Sequence, residues 1–538
     1  MGGSAVNELS YDYIVVGAGS SGCAVAARLS ENGRFRVALV EAGPKDTSPW
    51  IHLPLGYGKT MWDERVNWKL YTQPDPNMNG RSIYWPRGKV LGGSSAINGL
   101  IAIRGQAEDY DDWARYGGDQ WSYRNVLPYF RRLETFNSPV NPDYHGTSGP
   151  ISVDPIRRPH PVIDAVIASA NHLGIPANDD FNGPRQEGVG YYSLTTRNGL
   201  RSSAAVGYLR QARGRANLDI LTDAQVTRVR FSGRRAEGID YRSGGRMVRL
   251  DARRGVVLSA GAVHTPHLMM LSGIGPAAHL KEHGIEVLAD SPGVGANLQD
   301  HLQLRLIYRC NRPITTNDEL NSLTGKIKIG LQWLLARSGP LAVGINQGAL
   351  FTAVTPGETR PDVQFHVATL SADMAGGKVH PFSGFTMSVC QLRPESMGSI
   401  RLASGDPSAA PAIHPNYLDT ELDRQVAVGG LRLARRIAAT DPLRQLVAGE
   451  ELPGGAADSD EALLDFARQN GATIFHPTST CRMGRDDDKG AVVDSDLKVR
   501  GFDGLWVADC SVMPRIVSGN TNLPAIMIGE KLSDLLLQ

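Results

Sequence analysis

The first apolar run is Tyr13-Ile14-Val15-Val16, rich in β-branched residues, which predicts a strand that ends at once in Gly17-Ala18-Gly19-Ser20-Ser21-Gly22. Small residues from Cys23 to Leu29 then predict a helix, and a second strand, Arg36 to Val40, stops at Glu41. Strand, turn, helix and strand within about thirty residues make the opening half of a dinucleotide-binding sheet, so the predicted class is α/β. Further strands are predicted at Val226–Phe231, Val248–Asp251, Gly255–Ser259 and Gly504–Asp509, with Ser243-Gly244-Gly245 as a hairpin turn. A terminal helix, Pro524–Leu536, places Ile528, Leu532 and Leu535 on one face. The strands of this sheet are thus expected to be scattered along the chain. From about 311 to 465 the pattern changes to alternating segments such as Asp362–Val367 and helical ones such as Asp423–Ala439, which predicts a second lobe.

The 26 residues from Gly255 to Leu280 contain no Asp, Glu, Lys or Arg, enough length to cross a bilayer. Ser259, Gly261, His264, Thr265, Pro266, His267, Gly273 and Gly275 interrupt the apolar surface, so the run reads as strand, turn and helix rather than as a membrane span. A chain of 538 residues allows several domains or one large two-lobed enzyme. Its 56 basic and 55 acidic residues leave a net charge of +1, which argues against a nucleic-acid partner and against a strongly charged surface for anionic lipid. Cys23, Cys310, Cys390, Cys481 and Cys510 are far apart, with no C-x-x-C pair, which argues against zinc, an iron–sulfur cluster or a disulfide scaffold and for a reducing compartment. The stretch Met1–Ser10 is short and polar, so no export signal is expected there. The expected location is cytoplasmic, or peripheral at the inner membrane.

Gly17, Gly19 and Gly22 suit a pyrophosphate: the first makes the turn, the second lets phosphate approach backbone, and the third lets helix pack on strand. Glu41, at a strand end, is placed to accept ribose hydroxyls. These residues do not separate FAD from NAD. In Arg87–Asn98 consecutive glycines and hydroxyls would let backbone N–H groups close over a flat or anionic group. Gly58-Lys59-Thr60 imitates a P-loop end, but Leu53 occupies the position of its first glycine, and no G-x-S-x-G elbow occurs. The pairs His264/His267 and His279/His283 lack a third ligand and read as structural, so no metal site is expected. Pro477 stiffens the backbone at His476.

Taken together, the G-x-G-x-x-G turn, the Gly88–Asn98 segment, Gly261–Gly275, and the His476 and Asn520 segments resemble the glucose-methanol-choline (GMC) flavoprotein oxidoreductases nearly end to end. Stretches such as Gly80–Asn98 and Asn297-Leu298-Gln299-Asp300-His301 look most like bacterial alcohol dehydrogenases and choline-dehydrogenase-like members. The resemblance implies FAD and an FAD-binding dinucleotide fold, discontinuous in sequence, with an inserted α+β substrate lobe. It divides the chain into FAD-lobe segments 11–155, 196–310 and 466–538 and substrate-lobe segments 156–195 and 311–465. It implies His476 as the catalytic base and Asn520 as its partner, with hydride passing from an alcohol to flavin N5. The cofactor residues it implies are Gly17, Gly19, Ser21, Gly22, Glu41, the loop residues Val90, Gly93, Ser94 and Asn98, the Val226 backbone, and Asp509. Some relatives attach FAD through a histidine where this chain has Ile97, so the flavin is expected to be non-covalent.

Ser479 stands where relatives commonly carry glycine, which bears on the turn after His476. Gln303 stands near the glutamate that choline-oxidising relatives use for the trimethylammonium, which disfavours choline; His366 matches a histidine that lines the pocket in some relatives. The expected reaction is oxidation of an uncharged primary or secondary alcohol, with electrons going to a quinone-type acceptor or, in an oxidase, to oxygen with release of hydrogen peroxide. A non-redox hydroxynitrile-lyase-like enzyme on the same fold is the alternative.

Overall fold

The computed structural model describes residues 10–538 apart from 139, 140, 157 and 375, so all of the amino-terminal stretch except Ser10 lies outside the described residues. Ser10–Val16 lies parallel between Val37–Val40 and the second half of Arg246–Leu258. Leu218–Leu221 extends this parallel sheet on one side and Leu505–Val507 on the other. The first half of Arg246–Leu258 turns away to form antiparallel pairs with Arg235–Ser243, which in turn pairs with Gln225–Ser232. The two segments predicted at 248–251 and 255–259 are therefore one long strand. The hairpin falls at the predicted glycines: Gly244 and Gly245 both have positive φ, as a two-residue turn between right-twisted strands requires.

Ser20–Leu29 is buried on nearly all sides, which explains its small residues. It packs between the sheet and the terminal helix Asn522–Leu537, so closely that a Cβ on Gly529 would lie 2.6 Å from the Ser21 carbonyl oxygen. The 255–280 run resolves into strand, the helix Gly261–Leu271 and the short helix Ala277–Glu282. Among the described residues no helix is long and apolar enough to cross a membrane.

The second sheet runs Val447–Leu452, Leu302–Cys310, Gly384–Gln391, Val363–Ala368, Asn346–Thr352 and Gly188–Tyr191, all antiparallel, with Ala472–Thr473 beside Leu302 and Gln303. After Gly188–Tyr191 the chain returns to this sheet at Leu302. Helices Pro161–His172 and Glu421–Ala438 cover one face, where Ile163 lies against Gly348 and Gly430 against Val389. By strand alternation Gln364 and His366 belong to the opposite face. The molecule is an α/β protein with a dinucleotide-type sheet and a second, antiparallel lobe.

Candidate active site

The carboxyl ends of the parallel strands converge, and Gly17, Glu41, Ser259 and Asp509, each just beyond a strand, line one end of a cavity of ≈ 450 Å³. The same cavity reaches Gln303 and His366 on the second sheet, and His476 and Asn520 on loops beside it.

At the first end, Gly17 has φ +98°, and a Cβ on Gly22 would lie 1.9 Å from the Gly17 carbonyl oxygen. Gly93 presses on this turn, its Cβ position 2.6 Å from Gly19 Cα, whereas the Cβ position of Gly19 meets nothing nearer than the Ser259 carbonyl oxygen at 3.9 Å. No side chain caps the helix that starts at Ser20, which leaves its amino end to a ligand. Glu41 accepts the backbone N–H groups of Ala18 and Gly43, both at 2.9 Å, and keeps lone pairs for further donors. Burial pushes its pKa up to about 7. Asp509 caps Gly261–Leu271 through the Gly261 N–H and the Thr265 hydroxyl, and also takes the Ser511 N–H. These residues fit a bound dinucleotide.

Ser94, Asn98 and Val226 also line the cavity. Asn98 is tied through its side-chain oxygen to Arg201 Nη1 at 2.6 Å and to the Leu100 N–H. The side chains of two expected cofactor residues are engaged away from the cavity. Val90 is fully buried against Ile51, Val66, Ala96 and Ile97 and stays off the cavity wall, because its place in the loop is an apolar anchor. Ser21 gives its hydroxyl to the Ala508 carbonyl, which leaves only its backbone for a ligand. His264 and His267, read as structural, stand on the cavity wall; burial pushes them down to about 3 and about 4, so both are neutral there.

At the other end the imidazoles form a directed relay. The Leu392 carbonyl, 2.9 Å from His301 Nε2, can only accept, so His301 carries its proton on Nε2. Burial pushes the His301 pKa down to about 4, and its bare Nδ1 accepts the Nδ1–H of His476 at 3.0 Å. His476 therefore presents an unprotonated Nε2, which lies 3.1 Å from the Asn520 amide nitrogen. Gln364 Nε2 donates to the Asn520 side-chain oxygen at 3.0 Å, which fixes the amide the right way round. Burial, first of all, together with His301, His366 and Arg87, holds the His476 pKa well below the usual imidazole value. Asp300 accepts the His476 backbone N–H at 2.8 Å and so fixes the mounting. Ser479 takes φ +74°, so the left-handed conformation that suits glycine is kept here by a serine, whose hydroxyl donates to Thr478 at 3.0 Å.

His366 is fully buried, stacks on Tyr192 and has no hydrogen-bond partner on either ring nitrogen; Gln303 lies on the wall nearby. In the sequence His301 and Gln364 stand out only as parts of a motif and of a strand. A signal for Gln364 exists in the sequence: with His366 it puts polar residues at alternate positions of an otherwise apolar buried strand.

Family models for GMC oxidoreductase match residues 11–303 and 394–529. The chain belongs to the GMC oxidoreductase family. It is 42% identical over 531 residues to the oxygen-dependent choline dehydrogenase of Brucella suis biovar 1 (strain 1330), covering 98% of this chain and 95% of that one. It is 39% identical over 530 residues to the alcohol dehydrogenase [acceptor] of Pseudomonas putida, covering 98% and 96%. Among solved structures, pyridoxine 4-oxidase from Mesorbium loti superposes with a TM-score of 0.88 at 29% identity, covering 97% and 98% of the two chains. A fungal aryl-alcohol oxidase gives 0.87 at 27%, covering 98% and 99%. This GMC member is an FAD-dependent oxidoreductase acting on CH–OH groups.

Proposed function

We propose that the protein oxidises an uncharged primary or secondary alcohol to the aldehyde or ketone, with His476 Nε2 taking the hydroxyl proton and Asn520 holding the oxygen. The relay from Leu392 through His301 carries this reading, because it leaves a lone pair, not a proton, at the cavity end of His476. The low basicity of the buried ring keeps it unprotonated at neutral pH, ready to accept. The Asn520 amide can donate to the oxygen as charge develops, without a fixed charge in a dry site. His366, with both nitrogens unpartnered, is a further polar contact for substrate.

FAD, when bound, supplies the acceptor for the hydrogen of the carbinol carbon. The Gly17–Gly22 turn would hold its pyrophosphate, Glu41 its ribose, the Val226 backbone its adenine, and Gly93, Ser94 and Asn98 its flavin side. Ile97 lines the cavity and offers no nucleophile, which supports a non-covalent flavin. The FAD lobe would be assembled from early, middle and late segments of the chain, and electrons would pass to a quinone-type acceptor or to oxygen. The only acids on the cavity wall among the described residues are Glu41 and Asp509, both at the dinucleotide end. Gln303 is neutral and Asp300, which holds the His476 backbone, stands behind the wall, so a quaternary ammonium would find no counter-charge on the cavity wall beside His476.

An anaerobic screen of aliphatic, aromatic and sugar alcohols, with choline included, tests this by flavin bleaching. Uncharged alcohols are expected to bleach the flavin, with choline slower. Choline as the best substrate would overturn the substrate class, and cyanide release from a hydroxynitrile with the flavin still oxidised would favour the lyase.

A further inference from the structure

The helix Leu323–Ala336 turns its apolar residues outward. Leu323, Ile327, Leu331, Leu334 and Leu335 are 51% to 81% exposed and make up five of the nine large exposed hydrophobics among the described residues, so the exposure is concentrated rather than scattered. At roughly 100° per residue the five occupy about a third of the circumference, centred near Ile327. Lys326 and Lys328 stand on either side of that stripe. Gly325 and Ile329 face the body, the Ser322 hydroxyl caps the first turn, and the Trp333 indole donates to the Gly199 carbonyl at 3.0 Å, so the helix is anchored with its stripe facing out.

Charge selects the occupant. Between Glu319 and Glu358 the chain carries Lys326, Lys328 and Arg337 and no acid. Lys328 is paired with Glu319 at 3.0 Å on an exposed edge, and Arg337 lies over the Trp333 ring. A second copy of the chain laid stripe to stripe would bring lysines toward lysines. An anionic bilayer accepts both the apolar stripe and its cationic borders, with the lysine stems lying along the acyl boundary. We propose that this helix lies in the plane of an anionic phospholipid surface and docks the protein there. The near-zero net charge conceals this local asymmetry.

The position suits such docking. The chain leaves the helix through a turn at Pro340–Ala342 that packs on Pro54–Gly56, and the residues that follow these two turns, Asn346, Tyr57 and Met61, line the cavity. Exposed Trp50, with Lys59 over its ring, lies on the Pro54–Gly56 side. A bilayer-dissolved alcohol or acceptor would therefore be held beside the segments that wall the site.

Vesicle partition reads this without turnover, so it stands or falls apart from the alcohol reading. The flavin-loaded protein should co-sediment with phosphatidylcholine–phosphatidylglycerol vesicles, less with phosphatidylcholine alone, and less again as salt rises. The triple variant Leu331→Gln, Leu334→Gln, Leu335→Gln should lose at least about tenfold in partition, with flavin absorbance, melting temperature and turnover with a soluble acceptor unchanged. Lys326→Gln with Arg337→Gln should remove the preference for the anionic lipid. Absence of vesicle binding, or equal binding by the triple variant, would overturn the proposal. So would a concentration-dependent dimer in solution that the triple variant turns into a monomer, since a second copy would then cover the stripe.

Discussion

The behaviour of His476 is set by a residue 175 positions earlier in the chain. If His301 fixes the tautomer, His301→Ala should cut kcat/KM steeply with the flavin retained, since a wrong-tautomer imidazole costs up to about 10⁴-fold. His301→Gln should restore much of it, because an amide oxygen can accept the His476 Nδ1–H while its NH₂ reaches the Leu392 carbonyl. The same pair gives a pH signature. His301 titrates at about 4 in the folded chain and at about 6.5 when unfolded, so the unfolded chain takes up the proton first as pH falls. The histidine then costs the native state up to about 1.4 kcal/mol per pH unit between about 6.5 and 4. The melting temperature of His301→Gln should accordingly gain on that of the wild type as pH falls through this window, and a gap independent of pH would contradict the assignment. His476 and Asn520 were legible because each sits in a local motif. The relay was not, because nothing in Asn297–His301 says which side chain its histidine will meet.

Elements were most legible where pattern and turn chemistry agreed, as in the Gly17–Gly22 turn and the Gly244-Gly245 hairpin. Arg235–Ser243 was missed because the register shift at Gly238 breaks its alternation, with Ala236 inward before it and Ile239 and Tyr241 in the opposite phase after it. The charged Asp251–Arg254 stretch made one strand read as two, although the Gly255 φ of +154° and its approach to the Gly504 carbonyl, 2.2 Å from a Cβ, let the strand run on against a neighbour. Gly22→Ala tests the turn: with its Cβ 1.9 Å from the Gly17 carbonyl oxygen, strand and helix must part, at a cost of about 1 to 3 kcal/mol or more. The purified variant should carry far less flavin per protein by absorbance, and full loading would show that the packing is not needed.

On the scale of the whole molecule, the two ends of the chain hold each other. Glu530, fully buried in the terminal helix, bonds Arg28 of the first helix, Arg132 and the Tyr208 hydroxyl, and Ser20 donates to Asn522 at 2.7 Å. The turn facing the cavity is thus supported from a helix about five hundred residues away. Glu530→Ala leaves Arg28 with Glu31 and Arg132 with Asp534 but the buried Tyr208 hydroxyl without its acceptor, and should cost about 1 to 3 kcal/mol, seen as a lower melting temperature and earlier release of flavin fluorescence on heating. Unchanged melting would mean that packing alone holds the helices together. That the sheet would be scattered along the chain was legible from its strands; the return of the chain to the second sheet at Leu302 was not, since alternation such as Leu302-Gln303-Leu304-Arg305-Leu306 marks a strand but not the sheet it joins.

Anaerobic rapid mixing of the His476→Ala protein with its best alcohol asks most directly whether the imidazole takes the proton. A correctly folded yellow protein whose flavin bleaches about 10² to 10⁴ times more slowly than the wild type is the expected result. Bleaching at the wild-type rate would place the base elsewhere.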